Sequence, residues 1–177
     1  VTTLANGNLS SGSGVYSLGA ALAISNDIGL YTGNLHTGNA YAITLSGNWI
    51  TAAGELTSTG TVTLDGTSQI LSGNTVFNNL TKTVTSADTL KFAYNGKQSV
   101  SGTLILRGTA GNLLSIRSTK DGTDAAILLD GRFPFGAGRR SIARSVVWTC
   151  SPTASSAVST SIWTSIWRFR NGESSKA

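Results

Sequence analysis

The chain has 177 residues, of which 40% are hydrophobic and only 12% are charged, and its formal net charge is +5. The charged share is about half of that usual for a soluble domain. With 21 glycines and two prolines, this composition favours many short strands joined by tight turns over helices. The single cysteine excludes an internal disulfide, and no apolar run approaches the roughly 18 residues of a membrane-spanning helix.

Short runs with alternating apolar and polar residues predict a series of strands. In chain order, these runs are 41–45, 60–64, 80–85, 89–94, 103–107, 112–117 and 125–129. Threonine fills many of the polar positions, and its β-branched side chain suits a half-exposed sheet face. Dipeptides such as Asn95-Gly96 and Asp121-Gly122 separate the runs, because their residues tolerate the positive φ of tight turns.

A repeated phrase favours one of two all-β architectures. Turn signals at this density suit a β-sandwich, which is the alternative. However, an apolar residue followed by Ser-Gly occurs at 45–47, 71–73 and 100–102, and Gln69 and Gln98 precede two of these copies. The interval between copies falls within the roughly 20–50 residues expected for stacked repeat units. We therefore predict a right-handed parallel β-helix, or solenoid, with one phrase per coil and with Val62, Leu64, Leu71, Leu104 and Leu106 in its interior.

The span from about residue 61 to residue 130 resembles the repeat modules of large secreted bacterial surface proteins. The resemblance rests on the phrases 69–73, 75–81, 98–106 and 111–118, which are similar to filamentous-haemagglutinin-like and autotransporter-like repeats. It implies a right-handed β-helix in a long array, exported from the cell and displayed on its surface or released. It implies no catalytic residues.

The alternating pattern ends near Gly131, and we place a boundary there. Residues 1–131 are predicted to form the solenoid, and residues 132–177 a basic, aromatic tail or cap that does not follow the repeat pattern. This tail carries seven basic side chains and one acidic one. Trp163, Trp167, Arg168 and Arg170 are the candidates for contact with a glycan or a surface, and the competing interpretation of the tryptophans is a cap over the last coil.

No motif in the sequence indicates an active site. His36 and Cys150 each stand alone, without the spacing of a zinc site. Asp121 and Asp124 belong to the densest group of acids and are the candidates for calcium, but they lack the EF-hand pattern. We expect no catalytic residues, no metal and no cofactor.

These observations predict a non-catalytic structural or adhesive stalk module of an exported bacterial surface protein. The expected partners are neighbouring repeats of the same parent chain, with a glycan or cell surface as a further candidate, and with no specific nucleic acid and no membrane span. The alternative is a carbohydrate-active or glycan-binding β-helix domain. Polysaccharide cleavage needs a pair of carboxyls, which the sequence does not locate.

Overall fold

The protein folds as a parallel β-solenoid. The computed structural model describes residues 1–9 and 14–129 with their side chains, and after residue 129 it describes only the backbone of five further strands. The described residues contain strands, bridges and turns but no helix. The prediction of a parallel β-helix is thus confirmed over the alternative of a β-sandwich, and the architecture agrees with a right-handed coil.

Among the described residues up to 129, eighteen short strands form six coils of three strands each. The first two coils contain β1 (Thr2–Leu4), β2 (Gly7–Leu9), β3 (Val15–Ser17), β4 (Leu22–Ile24), β5 (Ile28–Leu30) and β6 (Asn34–His36). The third and fourth coils contain β7 (Ile43–Leu45), β8 (Trp49–Thr51), β9 (Leu56–Thr57), β10 (Thr61–Leu64), β11 (Ile70–Ser72) and β12 (Asn74–Phe77). The fifth and sixth coils contain β13 (Asn79–Thr83), β14 (Asp88–Phe92), β15 (Lys97–Val100), β16 (Leu104–Arg107), β17 (Leu114–Ser118) and β18 (Ala125–Leu129).

Except for β9 and β12, strands at equivalent positions of successive coils pair in parallel, which creates three faces. The first face has the order β1-β4-β7-β10-β13-β16, and the second runs from β2 through β5, β8, β11 and β14 to β17. The third face is divided into β3-β6-β9 and β12-β15-β18. Parallel pairing follows because every strand is separated from its partner by a full coil rather than by a hairpin.

The coil length varies along the stack, and the Ser-Gly phrases do not recur once in each coil. On the first face, register partners lead through Thr2, Leu22, Ile43, Val62, Leu80 and Leu104, so the coils vary in length and each is shorter than the interval between the Ser-Gly phrases. These phrases are not equivalent, because Leu45 lies on the first face, Leu71 on the second and Val100 on the third. The phrases therefore do not mark one position in each coil, although the solenoid that they favoured is correct. Coils of that length do occur, because Thr89 pairs with Ser115 on the second face and Gln98 with Ile127 on the third, 26 and 29 residues apart.

Inward side chains of all three faces form one continuous core. The five predicted interior residues, Val62, Leu64, Leu71, Leu104 and Leu106, are all buried there. Trp49 packs edge-on against Phe77, and its indole N–H contacts the hydroxyls of Thr51 and Thr75 at 3.0 Å each. The core thus contains both aromatic and aliphatic side chains, and the buried indole N–H of Trp49 has hydrogen-bond partners.

Side-chain oxygens at the corners add further bonds between coils. The Asp27 carboxylate accepts the Asn48 N–H at 2.6 Å, and the Asn48 amide oxygen accepts the Ile70 N–H at 2.8 Å. Asn74 and Asn79 accept N–H groups of the following coil in the same way. Asparagine at a corner therefore satisfies backbone donors that the strand ladders leave over.

Five strand backbones follow residue 129: β19 (Phe133–Phe135), β20 (Arg139–Ser141), β21 (Val146–Thr149), β22 (Ser165–Arg170) and β23 (Glu173–Lys176). Strand β21 pairs in parallel with β16, whereas β22 pairs antiparallel with β18 and with β23. The boundary at residue 131 stays a prediction.

Candidate functional site: a buried lysine where three coils meet

A lysine occupies the interior of the first face. One inward column of side chains contains, in successive coils, Ile24, Leu45, Leu64, Lys82 and Leu106. The Lys82 side chain is completely buried. An ammonium group at such a position is strongly unfavourable unless charge and hydrogen bonds compensate it.

Three oxygen atoms surround the Lys82 ammonium group. Its Nζ lies 2.6 Å from the Gly66 carbonyl oxygen, 2.9 Å from Gln69 Oε1 and 2.9 Å from Asp88 Oδ2. The contacts with Gly66 and Gln69 are hydrogen bonds and the contact with Asp88 is an ion pair, so the buried charge is compensated on three sides. The Asp88 side chain is itself only 4% exposed, so the ion pair is an interior one.

Backbone groups fix the Asp88 carboxylate from its other side. Its Oδ1 accepts hydrogen bonds of 2.7 Å from the N–H groups of Ser68 and Thr89. Ser68 has a φ of +53°, a left-handed conformation that is uncommon for a residue with a side chain. The turn before Gln69 is therefore shaped so that its backbone reaches the carboxylate.

The net pKa of Asp88 lies below its ordinary value of 3.8. Burial by itself raises the pKa, but the hydrogen bonds from Ser68, Lys82 and Thr89 and the positive charge of Lys82 together outweigh it. These donors favour the ionised carboxylate, so Asp88 is an anion at neutral pH.

Gln69 connects this ion pair to a third coil. Its Nε2 donates to the carbonyl oxygens of Leu45 and Gly47 at 2.9 and 2.6 Å, while its Oε1 accepts from Lys82. The polar cluster of Lys82, Asp88 and Gln69 therefore joins the third, fourth and fifth coils. It bonds backbone groups of each coil, which suits a structural role.

An open groove of about 460 Å³ adjoins this cluster on the outside. It is lined by Thr67, Ser68, Ala87, Asp88, Thr89, Gly111, Leu113 and Ser115. Asp88 is the one carboxylate in this lining, and it forms the ion pair with Lys82. Glycoside hydrolysis requires a pair of carboxyl groups that flank the bond, and this groove does not supply such a pair.

The structure does not bring the predicted site residues together. Asp121 is exposed and Asp124 is half-buried in the turn before β18, and the described part of the chain holds no cluster of three or more potential metal ligands. Trp163 and the side chains of Trp167, Arg168 and Arg170 lie outside the described residues. His36 is exposed at the end of β6.

Sequence reasoning missed Lys82, although a signal was present. In the run 80–84, residues Leu80, Lys82 and Val84 share the parity of the inward face, and all three are buried. The partners Gln69 and Asp88 lie in other segments of the coil path, and only the stacking of coils brings them to the lysine.

Among the residues that the structure describes, no helix is long and apolar enough to cross a membrane. No family model matches this sequence, and neither the curated proteins nor the solved structures contain a match.

Proposed function

We propose that this chain is a non-catalytic structural or adhesive stalk module of an exported bacterial surface protein, secreted or held at the cell surface. The observation that carries the proposal is the continuity of bonding from coil to coil. Within the first face and within the second face, parallel ladders connect all six coils. The cluster around Lys82 connects three successive coils in the interior.

The physical basis of a stalk is that force applied along the axis acts on many equivalent bonds. In a solenoid, each coil contacts its neighbours, and stability is approximately a sum of coil and interface contributions. Side-chain oxygens at the corners, such as those of Asp27, Asn48 and Asn79, add bonds in the same direction. The resemblance to exported repeat modules supports the placement outside the cell.

Pulling single molecules by their two ends tests the mechanical part of this proposal. We expect the solenoid to resist extension until a force well above that of an α-helical protein of similar length, and then to release coils in steps. Each step should lengthen the chain by one coil, which is the segment between register partners such as Leu22 and Ile43. Extension at low force without steps would contradict a stalk.

The alternative of a carbohydrate-active or glycan-binding domain has one observation in its favour, the hydroxyl-lined groove beside Asp88. Incubation of the purified chain with soluble polysaccharides, followed by measurement of new reducing ends, separates a polysaccharide-cleaving domain from a non-catalytic one. Catalytic depolymerisation that survives further purification would contradict the non-catalytic proposal.

A further inference from the structure

Two positive side chains stand beside each other on the outer surface of the second face. Lys91 in β14 and Arg117 in β17 are register partners on adjacent parallel strands. Both side chains are exposed, whereas Leu90 and Phe92 on either side of Lys91 point inward and are buried. Neighbouring strands are about 4.8 Å apart, so the two side chains project from adjacent positions of the sheet although a full coil of chain separates them in sequence.

Lys91 and Arg117 form no ion pair with a carboxylate among the residues described with side chains. Like charges on adjacent strands are destabilising. The Arg117 guanidinium donates one hydrogen bond to the Ile116 carbonyl oxygen, at 3.1 Å, and none of its other N–H groups bonds to residues 1–9 or 14–129. A bound carboxylate would relieve the repulsion and could engage the guanidinium through two parallel hydrogen bonds.

The hydroxyl-lined groove borders this pair directly. Thr89 and Ser115 are also register partners, and each lies two residues before Lys91 or Arg117 on the same outward side of its strand. Both line the groove of about 460 Å³, together with Ser68, Thr67 and Leu113. The surface thus offers hydroxyl groups and an apolar side chain next to two cations.

We propose that this surface, defined by Thr89, Lys91, Ser115 and Arg117, binds an acidic polysaccharide whose charges are sugar carboxylates. The groove hydroxyls would bond to sugar hydroxyls, while Lys91 and Arg117 hold the carboxylate of the adjoining sugar. A uronate polymer combines hydroxyls and a planar carboxylate in every unit, which matches both halves of the surface. The inference rests on the adhesive part of the proposed function and names its partner.

The test uses the whole chain and polygalacturonate as the probe, with binding measured by calorimetry or by retention on an immobilised polymer. Removing both charges with Lys91→Gln and Arg117→Gln should weaken binding about tenfold or more, because charge-assisted hydrogen bonds to the carboxylate are lost. The matched control is Lys97→Gln with Arg107→Gln. These two residues are also exposed but lie on the third and first faces, and the change in net charge is the same.

A further variant, Thr89→Val with Ser115→Ala, keeps every charge and should weaken binding several-fold. Uncharged dextran should not bind. Equal losses from the pair and from its control, or equal binding of dextran sulfate or duplex DNA at matched charge, would overturn the proposal in favour of unspecific attraction to a basic protein. None of these substitutions alters the core, so the steps in the pulling experiment should stay unchanged, and a failure here is distinguishable from a failure of the stalk proposal.

Discussion

Lys82 Nζ lies 2.9 Å from Asp88 Oδ2, in the interior of a solenoid whose other inward residues are mainly apolar. The two residues belong to successive strands of one coil and flank the corner between the first and second faces. Apart from the hydrogen bond from Thr89 N–H to Asp88, their remaining bonds reach Gly66, Ser68 and Gln69 in the coil below. The ion pair therefore fixes both the corner and the stacking of the two coils.

Loss of either partner alone should be strongly destabilising. Lys82→Met would leave the Asp88 carboxylate buried without its counter-charge, and we expect the free energy of unfolding to fall by about 3–5 kcal/mol. The double variant Lys82→Met with Asp88→Asn should recover much of this loss, because no unpaired charge remains and the introduced amide oxygen can still accept backbone N–H groups. Urea unfolding of the two single variants and the double variant measures the coupling, and strictly additive losses would contradict an interior ion pair.

Stability should decrease in acid because the pKa of Asp88 is lowered in the folded state. The unfolded chain then binds the proton more readily, so this contribution is complete above the unfolded pKa of about 4 and is lost as the pH falls further, through the folded pKa. We expect the difference in unfolding free energy between the native chain and Asp88→Asn to shrink between about pH 6 and pH 3. A difference that is constant over this range would show that Asp88 is not held as a carboxylate.

Two glycines with the same backbone conformation should respond very differently to substitution. Gly73 and Gly111 have φ values of +78° and +77°. A Cβ atom on Gly73 would overlap the Thr51 carbonyl oxygen of the coil below, whereas on Gly111 nothing lies within 4 Å. Gly111→Ala should cost only the roughly 1–2 kcal/mol of a left-handed alanine, and Gly73→Ala should be far more destabilising. Similar melting temperatures for the two variants would refute this close packing of coils.

The orientation of side chains on the first and second faces gives a further comparison. Leu71 and Leu104 are buried in the core, while Thr63 is half-exposed on the outer side of β10. Leu71→Asp and Leu104→Asp should each abolish folding, because an unpaired charge would enter the core, and Thr63→Ser should be nearly silent. Circular dichroism with thermal melting decides this, and a soluble Asp variant that unfolds cooperatively would be the contrary result.

Truncation tests the predicted boundary at Gly131. A chain that ends there should keep the β-type spectrum of the six coils, since their core residues all precede this position. The cut leaves the outer edges of β16 and β18 without their neighbours β21 and β22, so we expect an increased tendency to associate. Complete loss of β-structure in the far-ultraviolet spectrum would show that residues 132–177 belong to the folding unit.

The class of fold and the inward side chains follow from local patterns in the amino-acid sequence. Alternation with a period of two is a property of a single strand, so Val62, Leu64 and Leu104 could be assigned to the interior from their neighbours alone. Low charge, abundant glycine and threonine, and the alternating runs likewise predicted an all-β chain.

The register of the coils, by contrast, depends on the three-dimensional path of the chain. Loops of different length make the coil from Val62 to Leu80 shorter than the coil from Leu80 to Leu104. A fixed repeat in the sequence therefore does not identify equivalent positions. The same variation hides every contact between coils: Lys82 meets Gln69, and Lys91 stands beside Arg117, because the stacking of coils returns them to neighbouring heights. No local pattern of residues specifies which positions of successive coils become neighbours.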